Sequence, residues 1–142
     1  MPYLLDTNHC SYIINGLHKQ PKYRKPQEIQ VLKVFESLTM PAYTCDVVVG
    51  EMYYGAETST NPKRTYQRIE DFLSIVTPVI ADKASWLLFA KTKADLKSKA
   101  TPLKDFDLLI ACIAQRYGYT LVSNDTVFKH LPASFQVENW AV

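Results

Sequence analysis

The sequence predicts a three-layer α/β/α fold, with helices on both faces of a central, mainly parallel sheet of four to five strands. Three observations carry this expectation. Short apolar stretches alternate with longer segments of helical period along the whole chain. Those stretches are apolar throughout rather than alternating with polar residues, as strands covered on both faces are. The 142 residues contain no repeat, no low-complexity tract and no linker, so they are expected to form one domain, residues 1–142.

Taken in order, residues 3–5 read as a short buried strand and the residues around 10–14 as an apolar helix. Residues 17–27 hold Pro21, Pro26, Lys19, Lys22, Arg24 and Lys25, and read as a basic connection. A helix over 28–38 would place Ile29, Leu32, Val34 and Phe35 inward, and Pro41 ends that unit. Residues 42–45 form a second strand, after which Asp46 can cap a helix running through Glu51 toward Ala56. Asn61-Pro62 opens a helix over 63–75, with Tyr66, Ile69, Phe72 and Leu73 on its inner face. Residues 76–80 are a third strand, and Asp82 caps a long helix to about Ser98. Pro102 breaks the chain before a nearly all-apolar helix over 106–117, which Gly118 ends as its C′ residue. A fourth strand over 120–123, a helical turn over 126–129 and a final strand over 135–137 complete the pattern.

Composition excludes several classes. The apolar fraction, 47%, is ordinary for a globular chain. No apolar run approaches the ~20 residues of a membrane span. The start of the chain meets Asp6 at once and has no basic region, so it does not read as a signal peptide. Cys10, Cys45 and Cys112 lie far apart among apolar residues, which fits reduced core thiols in a cytoplasmic protein better than disulfides or zinc ligands. The net charge of +2 is too small to announce a nucleic-acid partner by itself. The four glycines form neither a dinucleotide fingerprint nor a P-loop, and no Gly-x-Ser-x-Gly elbow is present. His9, His18 and His130 have no metal-ligand spacing; His9 follows Asn8 and can approach the site, but a helix-start or surface role is the expectation for it.

Four carboxylates stand out by position. In open α/β sheets, chemistry collects beyond the carboxyl ends of strands, where the strand order reverses. Asp6 directly follows the first strand and Asp125 follows the fourth by two residues. They converge if those two strands are neighbours. Asp107 shares a helical face with Ile110, Ala111 and Ala114, and Glu51 shares one with Val47, Val48, Tyr54 and Gly55, so both are expected to project from a buried side. Carboxylates are rarely buried unless paired or metal-bound. Each has an ordinary alternative: a cap for Asp6, a first-turn acid for Asp107, an ion pair for Glu51, a turn for Asp125. Four such coincidences at one end of one sheet are less economical than one acidic site.

The segments Leu4-Leu5-Asp6-Thr7-Asn8, Gly50-Glu51-Met52-Tyr53-Tyr54-Gly55-Ala56, Asp107-Leu108-Leu109-Ile110-Ala111 and Leu121-Val122-Ser123-Asn124-Asp125 resemble the PIN-domain nucleases. Within them the likeness is to the VapC toxins of toxin–antitoxin pairs, and Val137-Glu138-Asn139-Trp140 is similar to that branch as well. The resemblance implies that Asp6, Glu51, Asp107 and Asp125 bind Mg²⁺ or Mn²⁺, that Asn8 and Ser123 support the site, and that RNA is cut. It also implies a homodimer and a small antitoxin whose segment blocks the acidic site.

The residues agree with that chemistry. Oxygen donors without His or Cys suit a hard cation rather than zinc. Asp6 and Asp107 are the expected principal ligands, with Glu51 and Asp125 completing the shell or holding metal-bound waters, and Asn8 orienting a carboxylate. Lys91, Lys93, Lys97, Lys99 and Lys104 crowd the approach to Asp107, and Lys19, Lys22, Arg24 and Lys25 form a second cluster around Tyr23. Either cluster can contact phosphates or simply be a solvated face. Tyr53, Tyr54 and Tyr66 can stack bases or a partner helix, or pack in the core or an interface, and Met52, Tyr53 and Tyr54 lie on the helix expected to face partners. Two other readings are a binding module of the same fold that does not cut, and a phospho-acceptor receiver domain. The receiver needs an acceptor Asp after a central strand and a Lys after a late one, a pair no strand here supplies.

Overall fold

The computed structural model describes residues 2–101 and 103–142, so the break expected at Pro102 lies outside the described residues. Five short strands form one sheet: β1 (Tyr3–Leu5), β2 (Tyr43–Cys45), β3 (Thr77–Val79), β4 (Thr120–Val122) and β5 (Val137–Glu138). Their order is β3-β2-β1-β4-β5 and every pairing is parallel. Helices α1 (Thr7–Leu17), α2 (Pro26–Ser37), α3 (Asp46–Glu57), α4 (Pro62–Leu73), α5 (Lys83–Ser98) and α6 (Asp105–Tyr117) complete a three-layer α/β/α architecture.

The sheet grows outward from β1 in both directions, so the order reverses between β1 and β4. Their register pairs Tyr3 with Thr120, Leu4 with Leu121 and Leu5 with Val122. The Asp6 N–H continues this ladder by donating to Val122 O at 3.1 Å. Asp6 therefore leaves the sheet at the reversal point with its backbone fixed.

Local sequence explains the elements beside that point. Asp6 is extended and its Oδ1 accepts the His9 N–H at 2.9 Å, so α1 starts immediately after β1 and runs to Leu17. The expected helix over 10–14 is only its middle. α6 is buried from Leu108 through Ala114, as its all-apolar sequence requires, and Gly118 ends it with a left-handed φ of 72°. Cys10, Cys45 and Cys112 are all buried and unpaired.

Several helix phases differ from expectation. In α2 the inward face is Glu28, Val31 and Leu32, whereas Ile29 is 48% exposed. Glu28 sets this phase: its carboxylate accepts the Lys25 N–H at 2.8 Å and is held by Lys19, which turns Ile29 toward solvent. The α1–α2 contact is close at Gly16, where an added Cβ would lie 2.6 Å from Leu32 Cδ1. In α3 the buried stripe is Val48, Met52 and Ala56. Tyr54 is 72% exposed and Gly55 is exposed too, so Glu51 occupies the edge of the buried stripe rather than its centre. Asp46 is the first residue of α3, not its cap; extended Cys45 holds that place. The last strand lies two residues later than expected, because Phe135 N–H still closes a turn onto Pro132 O.

Candidate active site

The C-terminal ends of β1 and β4 open into a cavity of about 170 Å³. Asp6, Glu51, Asp107 and Asp125 all line it, together with Thr7 and Asn8, over an apolar floor of Ile110 and Phe128. The fold brings the four carboxylates together from four different elements.

Each is held differently. Asp6 is buried, and its Oδ1 accepts both the His9 N–H and, at 3.1 Å, a contact from His9 Nδ1. Its capping role and its place in the site coexist. Glu51 Oε1 accepts the Thr7 hydroxyl at 2.6 Å, which ties α3 to the first turn of α1. Asp125 is exposed; its Oδ1 accepts the Val127 N–H at 3.0 Å and its own N–H donates to Ser123 Oγ at 3.1 Å. Ser123 is buried and outside the cavity lining, and its hydroxyl oxygen, by accepting the Asp125 N–H, fixes the Asp125 loop. Asn8 is exposed at the cavity wall.

Asp107 projects from the first turn of α6, half-buried, and takes part in none of the four ion pairs among the described residues. Burial pushes its carboxyl above the ordinary value, and the charges of Asp125, Glu51 and Asp6 add to the rise, with Lys104 opposing. The cavity thus gathers four carboxylates that form no ion pair with a Lys or Arg among the described residues. Among the described residues no three acidic, His or Cys side chains stand close enough to ligate one ion directly. The donor set fits a hard cation that keeps part of its water shell, as Mg²⁺ does when one or two carboxylates hold it.

The residues match the PIN domain family model over positions 3–133. The chain belongs to the PIN-domain family. Its relatives include "Ribonuclease VapC2" of Haemophilus influenzae, 33% identical over 99% of this chain and 98% of the relative. The "tRNA(fMet)-specific endonuclease VapC" of Salmonella typhimurium is 28% identical over 99% of this chain and 98% of the relative. Among solved structures, the DNA-bound VapBC complex from Salmonella typhimurium superposes with a TM-score of 0.83 at 26% identity, covering 99% of this chain and 98% of that one. VapBC2 from Rickettsia felis, bound to a promoter DNA fragment, gives 0.81 at 26% identity, with 99% of both chains covered. PIN-domain nucleases are generally metal-dependent.

From sequence alone, Thr7 has no assigned role at this PIN domain's candidate site, and one for His9 is raised but not favoured. Thr7 lies inside the Asp6-Thr7-Asn8 motif, yet only the placement of α3 shows that its hydroxyl reaches Glu51. His9, expected at a helix start or on the surface, does stand in the first turn of α1 but is fully buried against Asp6. The helical spacing of three from a capping Asp was the available signal.

The basic clusters divide. In the first connection Lys19 is committed to Glu28 and Arg24 Nε donates to Gly16 O at 2.8 Å, so that cluster is partly structural. Lys93 pairs with Asp105 at 2.9 Å on the surface. A larger, mainly apolar groove of about 620 Å³ between α5 and α6 is flanked by Lys93 and Lys97 and lined by no carboxylate. Tyr53 and Tyr66 pack on each other at 5.5 Å and donate to Glu70 and Glu57, so they join α3 to α4.

Proposed function

We infer that this PIN domain, residues 1–142, is a metal-dependent endoribonuclease that hydrolyses RNA phosphodiester bonds and serves as the toxin of a type II toxin–antitoxin pair. The observation that carries the reading is the carboxylate cluster at the β1–β4 reversal, with no Lys or Arg paired to it among the described residues, on a chain whose relatives are named as ribonucleases. A divalent ion, Mg²⁺ or Mn²⁺, when bound supplies the charge that lowers the pKa of a water and stabilises the attacking and leaving oxygens. Asp6 and Asp107 would be its principal holders. Thr7 keeps Glu51 turned toward the same space, and Ser123 holds the loop that presents Asp125, so these two acids complete the shell or hold its waters. Asn8, at the cavity wall, is placed to orient a carboxylate or a substrate phosphate.

The Salmonella relative's name makes tRNA the first substrate to test. Cleavage of tRNA and other structured RNA is expected in Mg²⁺ or Mn²⁺, with loss on chelation and poor support by Ca²⁺, whose looser coordination positions water and phosphate less accurately. Robust cleavage in excess chelator would sink the reading. Sequencing the 5′ ends of cellular RNA after brief expression identifies the bond.

The neighbours solved as VapBC complexes support a cognate antitoxin as partner. The homodimer implied by the family resemblance is the proposed assembled form. Met52 is buried and cannot contribute to an interface, whereas Tyr54 on α3 is free to. Ile80, between β3 and α5, and Trp86 and Leu87, early in α5, are each at least half exposed and are further apolar contacts for a second chain. No described helix is long and apolar enough to cross a membrane, and the site of action is read as the cytoplasm.

A further inference from the structure

His9 is the largest polar side chain that the fold buries completely without an assigned role. Its ring has two partners. Nε2 accepts the backbone N–H of Trp140 at 3.3 Å, and Nδ1 stands 3.1 Å from Asp6 Oδ1. A backbone N–H can only donate, so Nε2 must offer its lone pair and the ring proton resides on Nδ1, where it points to the carboxylate. Asp6 Oδ1 also takes the His9 main-chain N–H at 2.9 Å. Both bonds fall on one oxygen, so they set the carboxylate's rotation and leave Oδ2 for other work.

The far end of this chain of bonds is anchored as firmly. Trp140 is 3% exposed, packs edge-on against Tyr3 at 5.1 Å, and lies edge-on to the His9 ring at 6.4 Å. Its indole N–H donates to Glu138 Oε1 at 3.2 Å, within the strand that pairs with β4. The C-terminal segment, β1 and the start of α1 thus meet on a single imidazole.

We propose that His9 is a positioning residue for the proposed reaction: it transmits the placement of the Trp140 main chain to Asp6 and so fixes the carboxylate oxygen that serves the divalent ion. The inference rests on the metal-dependent reading above, and its consequence is that residues 139–142 belong to the working site although they lie outside the acidic cavity. Carboxylate ligands commonly need such a hydrogen-bonded support, and losing one weakens metal binding or activity by roughly 10–100-fold.

Two substitutions separate the two ends. His9→Asn keeps a donor near Nδ1 but loses the acceptor for Trp140; His9→Gln keeps an acceptor near Nε2 but loses the donor to Asp6. Mn²⁺ binding is measured directly by calorimetry on the full chain, beside RNA cleavage. The expected result is an Mn²⁺ affinity at least about ten-fold weaker for His9→Gln, and a smaller but measurable loss for His9→Asn, whose donor to Asp6 is no longer anchored by Trp140. A purely structural His9 would lower the melting temperature of both variants and leave their Mn²⁺ affinities equal to wild type. Should the variants fail to fold, ¹⁵N spectra of the wild-type imidazole decide: the Nδ1-protonated form with an Nδ1 shift that moves on adding Mg²⁺ supports the proposal, and an Nε2-protonated or unresponsive ring overturns it. Wild-type protein that cuts RNA but binds no Mn²⁺ sinks the metal reading and this inference together. Wild-type binding with an unchanged His9→Gln sinks the inference alone.

Discussion

Glu28 and Asp107 are both carboxylates near the first turn of a helix, and the fold treats them in opposite ways. Glu28 is 1% exposed and fully employed, accepting Lys19 Nζ at 2.9 and 3.0 Å and the Lys25 N–H at 2.8 Å. Burial alone would raise its pKa, but the Lys25 N–H and the Lys19 ammonium outweigh that and hold it below the ordinary value. Asp107 is less buried, has no ion-pair partner and faces three like charges, so its pKa is raised. Burial therefore does not mark function. What distinguishes the two is whether the protein itself satisfies the charge: Lys19 and the Lys25 N–H meet that of Glu28, while Asp107 has no ion-pair partner among the described residues.

The comparison breaks first on activity. Asp6→Asn or Asp107→Asn should lower RNA cleavage by more than about 100-fold, beyond the cost of losing a mere support for a metal ligand. Circular dichroism should show the fold retained. Glu28→Ala should leave cleavage by the folded protein near wild type. An Asp107→Asn enzyme that still cuts RNA at a wild-type rate would place the acid among the structural ones.

Metal linkage is the next largest effect. An ion that binds only the native state stabilises it by about 2.7 kcal/mol at a hundred-fold excess over its Kd. Mg²⁺ should raise the melting temperature of wild type and of Glu28→Ala alike, and raise that of Asp107→Asn much less. Equal shifts in all three would mean that the ion binds elsewhere.

Glu28→Ala sharpens the other side of the comparison. It strands the Lys25 N–H and costs about 1–3 kcal/mol, with Lys19, one-third exposed, free to turn its charge to water. Because the folded pKa of Glu28 is depressed, its contribution is complete above its unfolded value near 4.5 and disappears as pH falls toward and through the lower folded value. Denaturant melts at neutral pH and in acid should show the wild-type advantage shrinking on acidification.

Much of this was legible in the sequence because it depends on local order. The placement of Asp6 after an apolar strand, the apolar face below Asp107 and the fourth strand before Asp125 together specify one end of one parallel sheet. What escaped depends on contacts distant in the chain. The bond between Thr7 and Glu51 spans 44 positions, and that between His9 and Trp140 spans 131. The phase of α2 was misjudged for a related reason: an apolar count favoured Ile29, but a buried, satisfied Glu28 dictated which face turned inward. Binary patterning assigns carboxylates to solvent, and both Glu28 and Asp6 defy it: Lys19 and the Lys25 N–H hold Glu28, and the His9 main chain and ring hold Asp6.

The smallest predicted effect is also the most discriminating, since its sign is opposite to that of Glu28→Ala. Asp107 is unfavourable when ionised in the metal-free protein, because burial and the charges of Asp125, Glu51 and Asp6 all disfavour the anion. Its folded pKa lies above the unfolded value near 3.8. The folded state thus binds the proton more tightly than the unfolded state, and stability falls as pH rises through that window. Below it, wild type and Asp107→Asn both carry a neutral side chain and should melt alike. Above the raised pKa the penalty is complete, so at neutral pH without metal Asp107→Asn should equal or exceed wild type in melting temperature. Added salt should shrink the difference, because the half-exposed cluster is partly screened. Adding Mg²⁺ should reverse the order, as wild type gains an ion that the amide cannot hold. A metal-free Asp107→Asn protein less stable than wild type at neutral pH would show that Asp107, like Glu28, is satisfied by the protein itself.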